Sequence, residues 1–151
     1  MSHLADTSIL LRTIHTTSPQ RQLAIDTLDT LRKQKEEICI FPQNLVEFWA
    51  VATRPIESNG LGLTIEQAIV KVDHLKKVFV LKDEDKTIFQ NWESLVSEYE
   101  VKGKTSHDAR LVAGMQTHSI SHLLTFNVKD FQRYHDIILI VSPEDILTKG
   151  G

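Results

Sequence analysis

Four acidic residues, Asp6, Glu47, Asp108 and Asp130, lie far apart in the chain, each inside a short signature. The segments are Leu4-Ala5-Asp6-Thr7-Ser8, Asn44-Leu45-Val46-Glu47-Phe48, Ser106-His107-Asp108-Ala109-Arg110 and Thr125-Phe126-Asn127-Val128-Lys129-Asp130. Carboxylates that converge lose hydration and repel one another, so a gathered set is costly unless a hard cation sits among them. Magnesium takes oxygen ligands and keeps several waters, so one or two carboxylates per ion suffice. Such an ion polarises a phosphate oxygen and lowers the pKa of a bound water, which is the usual chemistry of phosphodiester hydrolysis. Ser8, Thr125 and Ser106 lie in or beside the same segments and supply hydroxyls that can hold carboxylates or waters in place. Taken singly, the acids have plainer readings. Asp108 near a helix start suits the helix dipole, Asp6 suits a turn after a strand, and Asp130 suits the surface of a short helix. Glu47 differs, because Leu45, Val46, Phe48 and Trp49 around it would partly bury it, which is unfavourable without a partner.

The elements that would position these residues alternate between strand and helix. Leu4 and Ala5 form a weak first strand that ends at Asp6. Ser18-Pro19 reads as a helix cap followed by proline at the first helical position, and Leu23, Ala24, Leu28 and Leu31 then fall on one stripe. Residues 38–41 are a continuously apolar run of the kind buried parallel strands show. Pro42 ends that run, and residues 44–54 read as a helix carrying Glu47. The breaker-rich loop 55–62 has glycines that would let it fold over a neighbouring rim. Helices are then predicted from Thr64, over residues 83–99, from a Ser106 cap to about His118, and after Ser142. Residues 78–81, 123–125 and 137–141 read as strands. This alternation implies a parallel sheet covered on both faces. In such sheets ligand sites gather beyond the carboxyl ends of the strands, where the strand order reverses, and that rim is a place where distant acids can meet.

A length of 151 residues fits one domain with a substantial core. A hydrophobic fraction of 41% with 25% charged residues describes an ordinary globular protein and excludes disordered or fibrous classes. Apolar runs such as residues 137–141 reach five residues at most, far too short to span a bilayer. No basic stretch followed by a long apolar segment stands at the N-terminus, so the cytoplasm is the expected location. Cys39 is the single cysteine and reads as a small core residue. A net charge of -3 counts against general nucleic-acid binding through a basic surface. It leaves room for a local site where a metal neutralises the acids and nearby cations meet phosphate. Arg110, two positions after Asp108, and Lys129, inside the fourth segment, are the candidates for that contact. The histidines form no zinc-ligand pattern, and the glycines form no phosphate-binding loop.

Together the four segments resemble the motifs of PIN-domain ribonucleases, and most of all those of VapC-type toxins of bacterial toxin–antitoxin pairs. The resemblance covers essentially the full chain, from Asp6 to the closing strand. It implies a single domain over residues 1–151 with a three-layer α/β PIN-like fold, a central parallel sheet of about five short strands flanked by helices. It also implies a rim of acids that binds Mg2+ or Mn2+. Carried over residue by residue, Asp6, Glu47 and Asp108 match the three best-defined acids, as metal ligands and catalytic groups. The fourth position departs from the family, which often has an acid where Asn127 stands and usually another at Asp130. Either Asn127 binds through its amide oxygen or Asp130 takes over, and a count of one or two metals stays open with that choice. The implied activity is a metal-dependent endoribonuclease acting on RNA. The implied partner is a small antitoxin that occludes the rim by presenting an arginine to the carboxylates. A homodimer could use apolar faces of the helices from Ser18 and Thr64, which equally serve as core. Neutral Asn127 and the acidic net charge also sustain another reading, a catalytically weak or inactive module of the same fold that binds RNA or protein.

Overall fold

Five short strands form one parallel sheet: β1 (Ser2–Ala5), β2 (Glu37–Ile40), β3 (Val80–Leu81), β4 (His122–Leu124) and β5 (Leu139–Val141). Among the described residues, eight α-helices cover it: α1 (Thr7–Ile14), α2 (Arg21–Lys33), α3 (Pro42–Thr53), α4 (Ile65–Val78), α5 (Lys86–Glu98), α6 (Thr105–Thr117), α7 (Val128–Phe131) and α8 (Pro143–Gly150). The computed structural model describes residues 1–150, with side chains through Thr148. This is the three-layer α/β arrangement expected from the alternating pattern.

Successive residues of a strand point to opposite faces of the sheet, and in β1, β2 and β4 both faces are buried, while edge strand β3 is exposed. Leu4, Cys39 and Leu123 pack on one side with Ile88 and Leu95 of α5 and with Ala109, Val112 and Met115 of α6. Ala5, Ile38, Ile40 and Leu124 pack on the other with Ile9 and Leu10 of α1, Leu28 and Leu31 of α2, and Phe48 of α3. Burial on both faces is why these strands read as apolar runs with no polar alternation. His3 is the polar exception in β1. It lies beside His122, its register partner on β4, with ring centroids 4.7 Å apart. Burial, and then the His122 charge, lower its pKa to about 4, so it packs as a neutral ring.

The spatial order of the strands is β3-β2-β1-β4-β5. The chain therefore moves outward from β1 to β3, then crosses back over β1 to β4. The reversal lies between β1 and β4, where Ala5 pairs with Leu124, and a crevice opens beyond their carboxyl ends.

Several local expectations shift. The helix predicted from Ser18-Pro19 starts at Arg21, because Ser18 Oγ accepts the Gln20 N–H at 3.2 Å and closes a turn first. Helix α1 lies outside the sequence expectations, since it follows β1 with no breaker between them and is only eight residues long. Ser106 is no cap: α6 begins at Thr105, after a turn in which Gly103 takes a φ of +63°. Pro42 opens α3 as its first residue, where a missing N–H costs nothing. Asn44 then accepts the Phe41 N–H on its side-chain oxygen at 2.8 Å and fixes the angle at which the chain enters the helix. The 55–62 loop doubles back on α3, with Gly60 N–H bonded to Pro55 and Gly62 N–H to Arg54. None of its residues reaches the acidic rim, which α1, α3, α6 and α7 border.

The chain entering α3 meets α6 closely where Phe41 lies over Gly114. A Cβ on Gly114 would stand 2.6 Å from the Phe41 ring. Alanine is worth about 1 kcal/mol over glycine in an open helix, but overpacking of this kind costs about 1–3 kcal/mol. Gly114→Ala is therefore expected to lower the urea midpoint, and a midpoint at or above wild type would show that Phe41 moves aside freely.

Candidate active site

Asp6 ends β1 and precedes α1, and only 6% of it is exposed. Its Oδ2 accepts hydrogen bonds from Thr125 Oγ1 at 2.7 Å and Ser8 Oγ at 2.9 Å. Those hydroxyls are themselves fixed, since Thr125 Oγ1 accepts the Asn127 N–H at 2.9 Å and Ser8 Oγ accepts the Phe126 N–H at 3.2 Å. The segment after β4 is thus tied to the end of β1 through one carboxylate. Burial raises the Asp6 pKa, the two hydroxyl bonds work against that rise, and the charge of Glu47 adds to it.

Glu47 lies in the second turn of α3. Thr7 Oγ1 donates to its Oε1 at 2.7 Å, and Gln43 Nε2 donates to its Oε2 at 3.0 Å. Thr7 is held in turn by Asn44 Nδ2 at 3.1 Å. Asp108, in the first turn of α6, is half-buried, and its pKa is pushed up to about 7. Burial is the largest cause, followed by the charges of Asp6, Asp130 and Glu47, with Arg133 opposing them. Asp130 is exposed on α7, and Asn127 precedes that helix with no side-chain cap bond. All five residues line one cleft of about 280 Å³ together with Thr7, Ser8, Leu11, Arg12 and Phe131.

The structure therefore brings Asp6, Glu47, Asp108, Asn127 and Asp130 to a common cleft, and places Ser8 and Thr125 on Asp6. Other expected residues lie elsewhere. Ser106 does not line the cleft, and its carbonyl accepts the Trp92 indole N–H at 2.8 Å. Arg110 faces away, paired with Glu84 at 2.7 Å. Lys129 is exposed and does not line the cleft. The cations near the acids are instead Arg12, which lines the cleft, and Arg133, which acts on Asp108. Thr7, Gln43 and Asn44 were not singled out from the sequence as holding Glu47. The four-residue spacing of Gln43 and Glu47 on one helix is the signal that could have found the first of these bonds. A larger cavity of about 330 Å³ lies among α1, α2 and α4, but Asp29 is its only acid and it holds none of this cluster.

The donors in the cleft are oxygens, which suit a hard divalent cation better than zinc. Among the described residues, no three His, Cys, Asp or Glu side chains stand close enough to hold an ion jointly as they are placed. An ion bound there would therefore have to keep most of its waters, touching one or two carboxylates directly and reaching the others through water. Asp6 and Asp108 are the best-placed direct ligands by burial, with Glu47, Asp130 and the Asn127 amide oxygen around them.

No family model matches the chain, and no curated protein matches it. Solved structures do. The chain is similar to VapBC2 from Rickettsia felis, a complex bound to a promoter DNA fragment, at 18% identity and a TM-score of 0.71, covering 94% of this chain and 98% of that one. It is similar to VapBC-1 from nontypeable Haemophilus influenzae at 16% identity and 0.70, covering 95% and 99%. It is also similar to VapC20 of Mycobacterium tuberculosis, a toxin that cleaves the sarcin-ricin loop, at 20% identity and 0.56, covering 80% and 86%. At these identities the likeness establishes the fold, which is the PIN-like three-layer α/β fold of VapC-type toxins.

The raised pKa of Asp108 makes a stability prediction. A folded-state value of about 7, against about 3.9 in an unfolded chain, means that folding favours the protonated carboxyl. That stability is complete below about pH 4 and is lost as pH rises to about 7. In EDTA, Asp108→Asn should melt above wild type at pH 8, and the gap should close near pH 4. Equal melting temperatures at pH 8 would show that the clustered charge costs the fold nothing.

Proposed function

We propose that this chain is a divalent-metal-dependent endoribonuclease, the toxin half of a toxin–antitoxin pair, working in the cytoplasm. One observation carries the proposal: acids from β1, α3, α6 and α7 meet in the crevice where the strand order reverses. The fold shared with VapC toxins, one of them a cleaver of the sarcin-ricin loop, supports it. Mg2+ or Mn2+ would be held by Asp6, Asp108 and Glu47, with Asn127 or Asp130 completing the set.

When bound, the ion supplies charge to the scissile phosphate and lowers the pKa of the attacking water. The chain itself does the rest. Thr125 and Ser8 fix the rotamer of Asp6, so that ligand is organised before substrate arrives. Thr7 and Gln43 do the same for both oxygens of Glu47. Arg12 at the cleft and Arg133 beside Asp108 meet the phosphate oxygens on either side of the scissile bond, a role earlier assigned by sequence to Arg110 and Lys129. Leu11 and Phe131, both buried, supply the apolar part of the cleft lining.

The partner is a short antitoxin chain, as in the VapBC complexes of this fold. An arginine from it would fill the same carboxylate cleft by charge-assisted bonds and block the cation. Val46, Ile65, Ile69 and Val70, exposed on α3 and α4, offer apolar surface for that chain or for a second copy of this one.

A second reading, a binding module without catalysis, is favoured by neutral Asn127 and by the open spacing of the acids. One experiment separates the two. Purified wild type, Asp6→Asn and Thr125→Val are incubated with total cellular RNA in Mg2+, Mn2+ or EDTA, and new RNA ends are mapped by sequencing. Wild type should give discrete, metal-dependent ends, Asp6→Asn none, and Thr125→Val the same ends about 10–100-fold more slowly. A folded, metal-supplied wild type that leaves RNA intact, yet binds it, would establish the binding module.

A further inference from the structure

Gln43 is the second residue of α3, one turn before Glu47 on the same face. Its Nε2 donates to Glu47 Oε2 at 3.0 Å and to the backbone carbonyl of His107 at 2.8 Å. Its Oε1 accepts from Arg110 Nη1 at 3.3 Å, and Arg110 Nη2 is paired with Glu84 Oε2 at 2.7 Å. A single amide orientation satisfies all three bonds. Reversed, the amide oxygen would face two acceptors and the NH2 group would face a guanidinium.

His107 immediately precedes Asp108. The amide of Gln43 therefore straps the turn of α3 that carries Glu47 to the turn of α6 that carries Asp108. Like charges on those two turns push them apart, and Glu47 is among the groups that disfavour a charged Asp108. Phe41 against Gly114 limits how near the helices come, while Gln43 limits how far they part. Glu47 is gripped at its other oxygen by Thr7, so a loss at Gln43 leaves the carboxylate in place but anchored at one oxygen only.

We infer that Gln43 is a positioning residue that sets the separation of Glu47 and Asp108 and thereby the affinity of the cleft for a divalent cation, with Arg110 and Glu84 fixing its amide. The inference rests on the metal-nuclease reading and assigns Arg110 to the support of the site in place of substrate contact.

The test uses Mn2+ alone, titrated by calorimetry into the whole chain, with melting temperatures recorded in EDTA. Gln43→Met keeps the side-chain stem and removes the amide. Its Mn2+ dissociation constant should rise about 10–100-fold, while its metal-free melting temperature stays within a few degrees of wild type. Arg110→Lys keeps the charge but loses the fork that spans Gln43 and Glu84. It should show a smaller rise in the same direction, and it carries the test if Gln43→Met does not fold. Folded variants that bind Mn2+ as wild type does would overturn the inference. So would a weakened Gln43→Met that melts far below wild type beside an unaffected Arg110→Lys, because that pattern marks a merely structural residue. A wild type that takes up no Mn2+ is a separate result, which overturns the metal reading and this inference with it.

Discussion

Beyond the backbone pairing of β1 with β4, one buried carboxylate fastens the segment that follows β4 to the end of β1. Asp6 takes hydroxyl bonds from Thr125, 119 positions away, and from Ser8, and both hydroxyls also secure the backbone leading toward α7. The position of Asn127 and Asp130 thus depends on the charge state and rotamer of a residue at the other end of the chain. Burying a carboxylate costs several kcal/mol, and each hydrogen bond to a charged group returns about 1.5–3 kcal/mol. Two hydroxyls offset much of the cost but not all of it, in keeping with a pKa that stays raised. The uncompensated remainder is a property of the fold, and it is located where a ligand would be most effective.

The neighbouring acids follow the same rule. Glu47 is held by a threonine hydroxyl and a glutamine amide, both neutral, and Asn44 steadies that threonine while also setting the entry of α3. Neutral donors fix geometry without cancelling charge. The result is a rigid rim whose negative field is retained, reaching Asp108 from three sides. A protein selected for stability alone would place lysines there or replace the acids. Persistence of a locally unfavourable arrangement inside an otherwise consistent fold is the mark of a functional site.

Much of this was legible in the residues, for identifiable reasons. The strands at 38–41 and 123–125 were readable because a sheet buried on both faces needs continuous apolar runs. Helix α4 was readable because Ala68, Ile69, Val72 and Leu75 recur at helical spacing after Thr64, and Thr64 and Gln67 do cap it reciprocally. Helix α1 was not, because its eight residues follow a strand directly and Asp6, its N-cap, reads equally well as a turn residue. The acids could be picked out because each ends a strand or opens a helix at the same rim. Arg110 was misassigned because closeness in sequence was taken for closeness in space. On a helix, a residue two positions on points away from its neighbour, so Arg110 could not share the face of Asp108. Ser106 failed for the same reason, on the far side of the first turn. The supporting network of Thr7, Asn44 and Gln43 was beyond reach except for the pair on α3, since its other members meet only through packing of α1 on α3.

Fold alone does not carry an activity, and a likeness at 20% identity or less transmits the backbone more surely than the chemistry. The distinction here lies in the pairing of charges. Among the described residues, the ion pairs involve Glu36, Asp73, Glu37 and Glu84, and none involves Asp6, Glu47, Asp108 or Asp130. Arg110 has its backbone two positions from Asp108, yet its guanidinium serves Glu84. Arg12 lies in the cleft, yet its Nε is bonded to Gln20. A cluster of acids kept for structure would recruit such cations, because each pairing relieves repulsion at little cost. With Arg110 and Arg12 directed elsewhere and Arg133 alone acting on Asp108, the acids keep a negative charge that a hydrated divalent ion or the arginine of a partner chain would neutralise. Both occupants answer to the same electrostatic demand, so the feature that would make the site a nuclease also provides the means to silence it.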